Sequence, residues 1–234
     1  MRARPAPATR SRAADPLHGP GTSLTGSFRS LARAYLVVAA RDGEAGPVSE
    51  ALIVIDVQES FRRLPNWAEL SNPDIVSRVN TLVEHARAEG DPVVWVLHAE
   101  PGSGTAFDPA TGHVRLIDGL EPLEGEPLLV KTSHNAFTTT NLQQRLTARG
   151  TGGVRVCGIR TEQCCETTAR VASDLGLAVT FVTDATATTP LPHWRTGVVL
   201  GTDEIVERTE YALAGRFATI ATVAEVTGAA LTGS

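Results

Sequence analysis

Short apolar runs alternate with segments of helical periodicity along most of this chain. Residues 51–57 (ALIVIDV) and 92–98 (PVVWVLH) are nearly continuous apolar runs, which is typical of parallel strands buried on both faces. Between them, apolar residues recur at helical spacing over 75–86, with a start signal at 71–74 and a stop at Gly90. This stretch therefore predicts a strand, a helix that covers one face of a sheet, and a second strand.

The rest of the chain repeats the alternation, and the count reaches six strands. This predicts an α/β fold with three layers, in which helices cover both sides of a mostly parallel six-stranded sheet through right-handed crossovers. The segment 100–126 is rich in Gly and Pro, and we expect this long loop to close over the carboxyl end of the sheet. The later elements are predicted as strands 128–131, 154–158, 178–183 and 217–220, a helix over 140–148, one that begins at Thr161, one over 203–214 and a terminal helix.

The first 48 residues differ in composition from the remainder, being rich in Arg, Ala, Pro and Gly. Such a composition does not bury enough apolar surface to offset the entropy of ordering. We interpret residues 1–48 as a disordered or artefactual leader and residues 49–234 as one domain. Deletion of the leader is expected to leave melting and activity unchanged.

Composition and charge exclude several classes of protein. The net charge is −5 and the domain has no long basic run, so no nucleic-acid partner is expected. The apolar patch over 31–40 is too short to span a bilayer, so no membrane association is expected either. The first predicted strand is followed by VQES rather than a Gly-rich phosphate-binding loop, which weighs against a nucleotide site. Three cysteines without a CxxC pair argue against a disulfide scaffold or a structural zinc site, and they fit a reducing cytoplasm.

Titratable side chains stand at the ends of several predicted strands. Asp56 either orders the following loop or acts as a general base, and His98 is either structural or part of a substrate pocket. Lys131, taken alone, is expected to be solvated. Thr161 is predicted to cap a helix whose first turn contains Cys164. Because a helix N-terminus favours an anion, the Cys164 thiol is expected to ionise more readily than a free thiol.

Three blocks of sequence resemble the isochorismatase-like cysteine hydrolases. They are IVIDVQESF, VKTSHNAFTTTNLQQRL, and VCGIRTEQCCETTARVASDLG followed by VTDAT. The segment RTEQCCETT is most similar to the streptothricin hydrolase branch. The resemblance implies a catalytic triad of Asp56, Lys131 and Cys164. It also implies a non-proline cis peptide bond in the turn between Ile159 and Arg160.

The resemblance supplies a mechanism as well. Asp56 is expected to move protons as a general acid–base, while the ammonium of Lys131 favours the thiolate of Cys164. The backbone N–H groups of Arg160 and Cys164 are expected to form an oxyanion hole. We place His98 and Phe137 in the substrate pocket.

The sequence departs from the family pattern at two points. Cys165 follows the nucleophile where a small apolar residue is common, and only one of these adjacent side chains is expected to face the cleft. The Asp-x-His that nicotinamidases of this family use for a metal is absent around His98, so we predict no metal and no cofactor.

A cysteine nucleophile favours hydrolysis of a C–N bond in a small-molecule amide, such as an acyclic carboxamide, an N-carbamoyl compound or a lactam. The alternatives are an isochorismatase-type vinyl-ether hydrolase and a catalytically idle binding protein on the same fold. We also expect a homo-oligomer.

Overall fold

A computed structural model of the chain describes residues 49–228, and the predicted leader, residues 1–48, lies outside this part. The strands of the main sheet run in the order β3-β2-β1-β4-β5-β8, and every neighbouring pair is parallel. The predicted six-stranded α/β sheet is therefore confirmed. Its strands are β1 (Glu50–Ile55), β2 (Val93–His98), β3 (Leu128–Lys131), β4 (Gly153–Ile159), β5 (Ala178–Ala187) and β8 (Thr219–Ala221).

Helices cover both faces of this sheet because the central strands are apolar on both faces. In β1, Ile53 and Ile55 join one buried cluster, whereas Leu52 and Val54 join the other, as the two-residue period of a strand requires. The α-helices are α1 (Glu59–Arg62), α2 (Ile75–Glu89), α3 (Leu142–Ala148), α4 (Glu166–Asp174), α5 (Thr202–Leu213) and α6 (Val223–Thr227). Helices α3 and α4 pack on the first face, and α2 and α6 pack on the second.

Some local elements were not predicted from the sequence. The short helix α1 and a two-stranded hairpin, β6 (Leu191–Pro192) with β7 (Val199–Leu200), have too few residues to show a periodic pattern. The segment 100–126 is largely irregular, as expected, with one 3₁₀ turn at Pro109–Thr111. Within residues 49–228, no helix combines the length and the apolar character that crossing a bilayer demands.

The strand order reverses between β1 and β4. Strands β2 and β3 lie on one side of β1, whereas β4 and the later strands of the sheet lie on its other side. Gly158 pairs with Ile55 at this point, with φ of 127°. A Cβ on Gly158 would lie 1.9 Å from the Ile55 carbonyl oxygen, so only glycine lets the two strands approach this closely. Open α/β sheets bind ligands at the carboxyl ends of strands around such a switch point.

Candidate active site

Four side chains predicted from the sequence meet at the carboxyl edge of the sheet. Asp56 directly follows β1, while His98 and Lys131 end β2 and β3 and are paired in register. Cys164 lies in the turn Thr161–Cys165, which follows β4. Parallel strands bring these ends together, so residues far apart in sequence become neighbours.

Lys131 connects the acid and the thiol. Its Nζ lies 2.7 Å from Asp56 Oδ2 and 3.4 Å from Cys164 Sγ. Asp56 and Lys131 are fully buried and Cys164 is 6% exposed. The three residues therefore form one buried group in which an ammonium lies between a carboxylate and a sulfur.

Asp56 is poised to take up a proton near neutral pH. Burial raises its pKa from 3.8 to about 6, although the neighbouring Lys131 ammonium acts in the opposite direction. Apart from this ion pair, neither carboxylate oxygen accepts a hydrogen bond from the described residues. The backbone of Asp56 has φ of 53°, an uncommon conformation for a residue with a side chain and one that recurs at functional sites.

The Cys164 thiol is neutral in the resting site, so the expectation that it ionises readily is wrong. Burial is the largest cause of a pKa raised to about 12, and the Asp56 carboxylate adds to the increase, while Lys131 offsets only part of it. A nucleophilic role for Cys164 would therefore require the thiol to lose its proton during the reaction. Asp56 and Cys164 are close enough that each alters the pKa of the other.

The helix start also differs from the prediction. Thr161 lies inside the first turn, and its hydroxyl donates to Thr186 Oγ1 at 2.9 Å instead of capping the helix. The turn is π-helical, with the Cys165 N–H bonded to the Arg160 carbonyl at 3.1 Å, and α4 begins only at Glu166. The expected non-proline cis peptide between Ile159 and Arg160 is present. The Arg160 N–H, one of the two predicted oxyanion donors, has no main-chain acceptor within the described part of the chain.

Residues 50–211 match the family described as Isochorismatase domain, which is more than half of the chain. The chain belongs to the isochorismatase family. Nicotinamidase 3 of Arabidopsis thaliana is 33% identical over 152 residues, which are 59% of this chain and 73% of that protein. Streptothricin hydrolase of Streptomyces noursei is 36% identical over 145 residues, 61% of this chain and 56% of that protein.

A solved structure agrees with the fold of this isochorismatase-family chain. It is a putative hydrolase of the isochorismatase family from Chromobacterium violaceum, with a TM-score of 0.72 and 26% sequence identity. The match covers 77% of this chain and 93% of that one. The family prediction made from the three sequence blocks is therefore confirmed, together with its fold.

An arc of aromatic rings includes His98, the predicted pocket residue, and its other members were not predicted from the sequence. The Arg160 guanidinium lies 5.8 Å from the Phe61 ring, and Phe61 is 5.0 Å from Phe107. Phe107 is 5.8 Å from His98, whose ring is 6.4 Å from that of His134. Phe61 lies in the same sequence block as Asp56, IVIDVQESF, which is the signal that could have identified it.

Phe137, predicted as a pocket residue, is 7% exposed and belongs to the buried cluster that also contains Cys164. Its role in substrate binding remains a prediction. The other cysteines are core residues: Cys165 and Cys157 are fully buried, and burial raises the pKa of Cys157 to about 12. All three cysteines are free thiols.

A concavity of about 480 Å³ lies beside the carboxyl-terminal half of β5, and none of Asp56, Lys131 and Cys164 lines it. Asn72, Asp184, Asp203 and Glu207 line it together with Arg78, which is paired with Asp184 at 2.6 Å. No cysteine contributes to this lining. This acidic concavity therefore lacks the thiol that the predicted site contains.

Within residues 49–228, no three His, Cys, Asp or Glu side chains are arranged so that they could hold a metal ion. His98 Nε2 and Glu100 Oε1 are 3.6 Å apart, but they are a pair only. The residues at this edge thus do not fit a metal centre of three such ligands.

The raised pKa of Asp56 leads to a prediction for the pH dependence of turnover. If Asp56 is the general base that the family resemblance implies, it can accept a proton only as a carboxylate, so we expect activity to be lost as the pH falls through about 6. We expect kcat/KM to decrease about tenfold for each pH unit below that value. A pH–rate profile measures this, and an acid limb centred near pH 4 would show that burial does not govern this carboxyl.

Proposed function

We propose that this protein is a cysteine-dependent hydrolase that cleaves a C–N bond in a small-molecule amide, lactam or N-carbamoyl compound through a thioester intermediate. One observation carries the proposal: Lys131 Nζ lies 2.7 Å from the Asp56 carboxylate and 3.4 Å from the Cys164 sulfur in a buried group. This arrangement combines a nucleophile, a base and a fixed positive charge.

The first half of the reaction forms the thioester. Asp56 removes the thiol proton as Cys164 Sγ bonds to the carbonyl carbon, and the carbonyl electron pair moves onto oxygen. Lys131 stabilises the negative charge that develops on sulfur, and the backbone N–H groups of Arg160 and Cys164 are the donors proposed for the oxyanion. When the carbonyl reforms, the C–N bond breaks and Asp56 returns the proton to the leaving nitrogen, which departs as ammonia or an amine.

The second half regenerates the enzyme. Asp56, again a carboxylate, takes a proton from a water molecule that attacks the thioester carbon. The C–S bond breaks, the sulfur recovers the proton from Asp56, and the product is a carboxylic acid, or a carbamic acid where the substrate is an N-carbamoyl compound. Proton transfer of this kind contributes about 10²- to 10⁴-fold to the rate.

The relatives support cleavage of a C–N bond over the alternatives. One is named a nicotinamidase and another a streptothricin hydrolase, and both names denote hydrolysis. A vinyl-ether hydrolase needs an acid but no nucleophile, whereas here the sulfur lies against the ammonium. An idle binding protein has no need of a buried acid whose pKa is raised to about 6.

A substrate screen tests the proposed function. Primary carboxamides, N-carbamoyl compounds and lactams are incubated with the protein, and released ammonia or amine is measured alongside intact-protein mass. We expect turnover of at least one class and a transient mass increase equal to the acyl group. Turnover of isochorismate alone, with no acylated protein, would favour the vinyl-ether hydrolase.

Location and assembly form a second part of the proposal. Three free thiols support a reducing, cytoplasmic setting. Apolar side chains that remain exposed on the β6–β7 hairpin, such as Trp194 and Val198, support self-association. Sedimentation at micromolar concentration should give a species larger than the monomer, and a single monomeric boundary would contradict the proposed oligomer.

A further inference from the structure

Lys131 has a third neighbour besides Asp56 and Cys164. Its Nζ lies 3.3 Å from Nδ1 of His98, the residue paired with it in register at the ends of β2 and β3. A lysine ammonium carries three N–H donors and no acceptor. The three neighbours thus account for the three donors of a side chain that is fully buried.

This contact determines the state of the imidazole. Because the ammonium can only donate, Nδ1 must be the acceptor and is therefore unprotonated, which places the ring proton on Nε2. Nε2 faces Glu100 Oε1 at 3.6 Å, an arrangement consistent with an N–H on that side. Burial lowers the pKa of His98, and the charge on Lys131 lowers it further, so the ring is neutral at physiological pH.

The ring is held in place from several directions. The main chain of His98 is clamped by the buried Gln58, whose Oε1 accepts from the His98 N–H at 2.7 Å and whose Nε2 donates to the His98 carbonyl at 3.0 Å. The ring of Phe107 packs edge-on at 5.8 Å. Glu100 is itself fixed by Thr105, which donates to its carboxylate at 3.1 Å.

We propose that His98 is a positioning residue that acts through Lys131. As an uncharged acceptor it takes one N–H of the ammonium and directs the other two towards Asp56 and Cys164. A carboxylate in the same place would satisfy the donor but would also neutralise the charge that the thiolate needs. The inference rests on the proposed function, because it assigns His98 to the same triad.

Two substitutions of similar polarity separate this role from simple space filling. In His98→Asn the amide oxygen can occupy the position of Nδ1, whereas in His98→Gln the amide reaches only the position of Nε2. We expect His98→Gln to lower kcat by about 10²-fold with KM little changed, because a misplaced catalytic group costs about this much. His98→Asn should retain activity within about tenfold of the wild type.

A second readout requires no substrate. The rate at which iodoacetamide alkylates Cys164, followed by mass spectrometry of the peptide, reports how well Lys131 stabilises the thiolate. We expect His98→Gln to slow this alkylation about tenfold relative to the wild type. The His98→Asn variant should be alkylated at nearly the wild-type rate. His85→Gln, on helix α2, is the control and should leave both rates unchanged.

Equal rates for the Gln and Asn variants, whether both high or both low, would overturn the assignment, since the acceptor at Nδ1 would then not matter. The two proposals fail in different ways. If the wild type hydrolyses no amide, the proposed function fails while alkylation still decides the role of His98. If the wild type turns over and His98→Gln matches it in both assays, the function stands and the inference about His98 is wrong.

Discussion

Cys164→Ala is expected to abolish turnover, by about 10⁴-fold or more, while the protein keeps its fold. The sulfur is the atom that bonds to the substrate carbon in the proposed mechanism, and no other thiol lies against Lys131 in the described residues. Alanine leaves the backbone turn unchanged and removes only the sulfur. Turnover of the amide substrate and the melting midpoint of the variant together measure this.

Cys165→Ala is the matched control, because its cysteine is the next residue in the same turn. Cys165 is fully buried in the cluster between the sheet and the helices, so its loss creates a small cavity and costs about 1 kcal/mol of stability. Most of the activity should remain. Trapping the acyl group and sequencing the modified peptide decides between the two thiols, and a thioester on Cys165 would show that the nucleophile is misassigned.

Asp56→Asn and Lys131→Met are expected to be nearly as damaging as loss of the nucleophile, each lowering kcat/KM by about 10³- to 10⁴-fold. Asparagine cannot take the thiol proton, and methionine cannot stabilise the thiolate. Groups that act as one unit lose rate together and not additively. The double variant should therefore be at most about tenfold slower than either single variant. Additive losses in the double variant would mean that the two residues act independently.

The single variants and the double variant are expected to differ in stability. Asp56 and Lys131 are buried as an ion pair at 2.7 Å, and removing one partner leaves an uncompensated charge, which costs about 3 to 5 kcal/mol. The double variant Asp56→Asn/Lys131→Met removes both charges and should be more stable than Lys131→Met alone. Chemical denaturation of the three variants at pH 8 measures this. A double variant less stable than both single variants would contradict the assignment of a buried pair.

The order of elements and most of the site residues follow from sequence patterns. Apolar runs and helical stripes are patterns of residues that are close together in the sequence. Strands β1 to β4 and helix α2 were therefore predicted within one or two residues of their observed ends. Three sequence blocks indicated the isochorismatase family and, by resemblance, the residues Asp56, Lys131 and Cys164. Short elements such as α1 and the β6–β7 hairpin were missed because a few residues carry no periodic signal.

The protonation state of the site and its supporting contacts were decided by tertiary structure alone. Local sequence suggested a capped helix and an acidic thiol at Cys164, but burial and the nearby Asp56 keep that thiol neutral. The contact between His98 and Lys131 exists because two parallel strands pair in register across 33 residues of sequence. Desolvation and charge–charge distances depend on what surrounds a group in three dimensions. The pattern of residues along the sequence does not specify them.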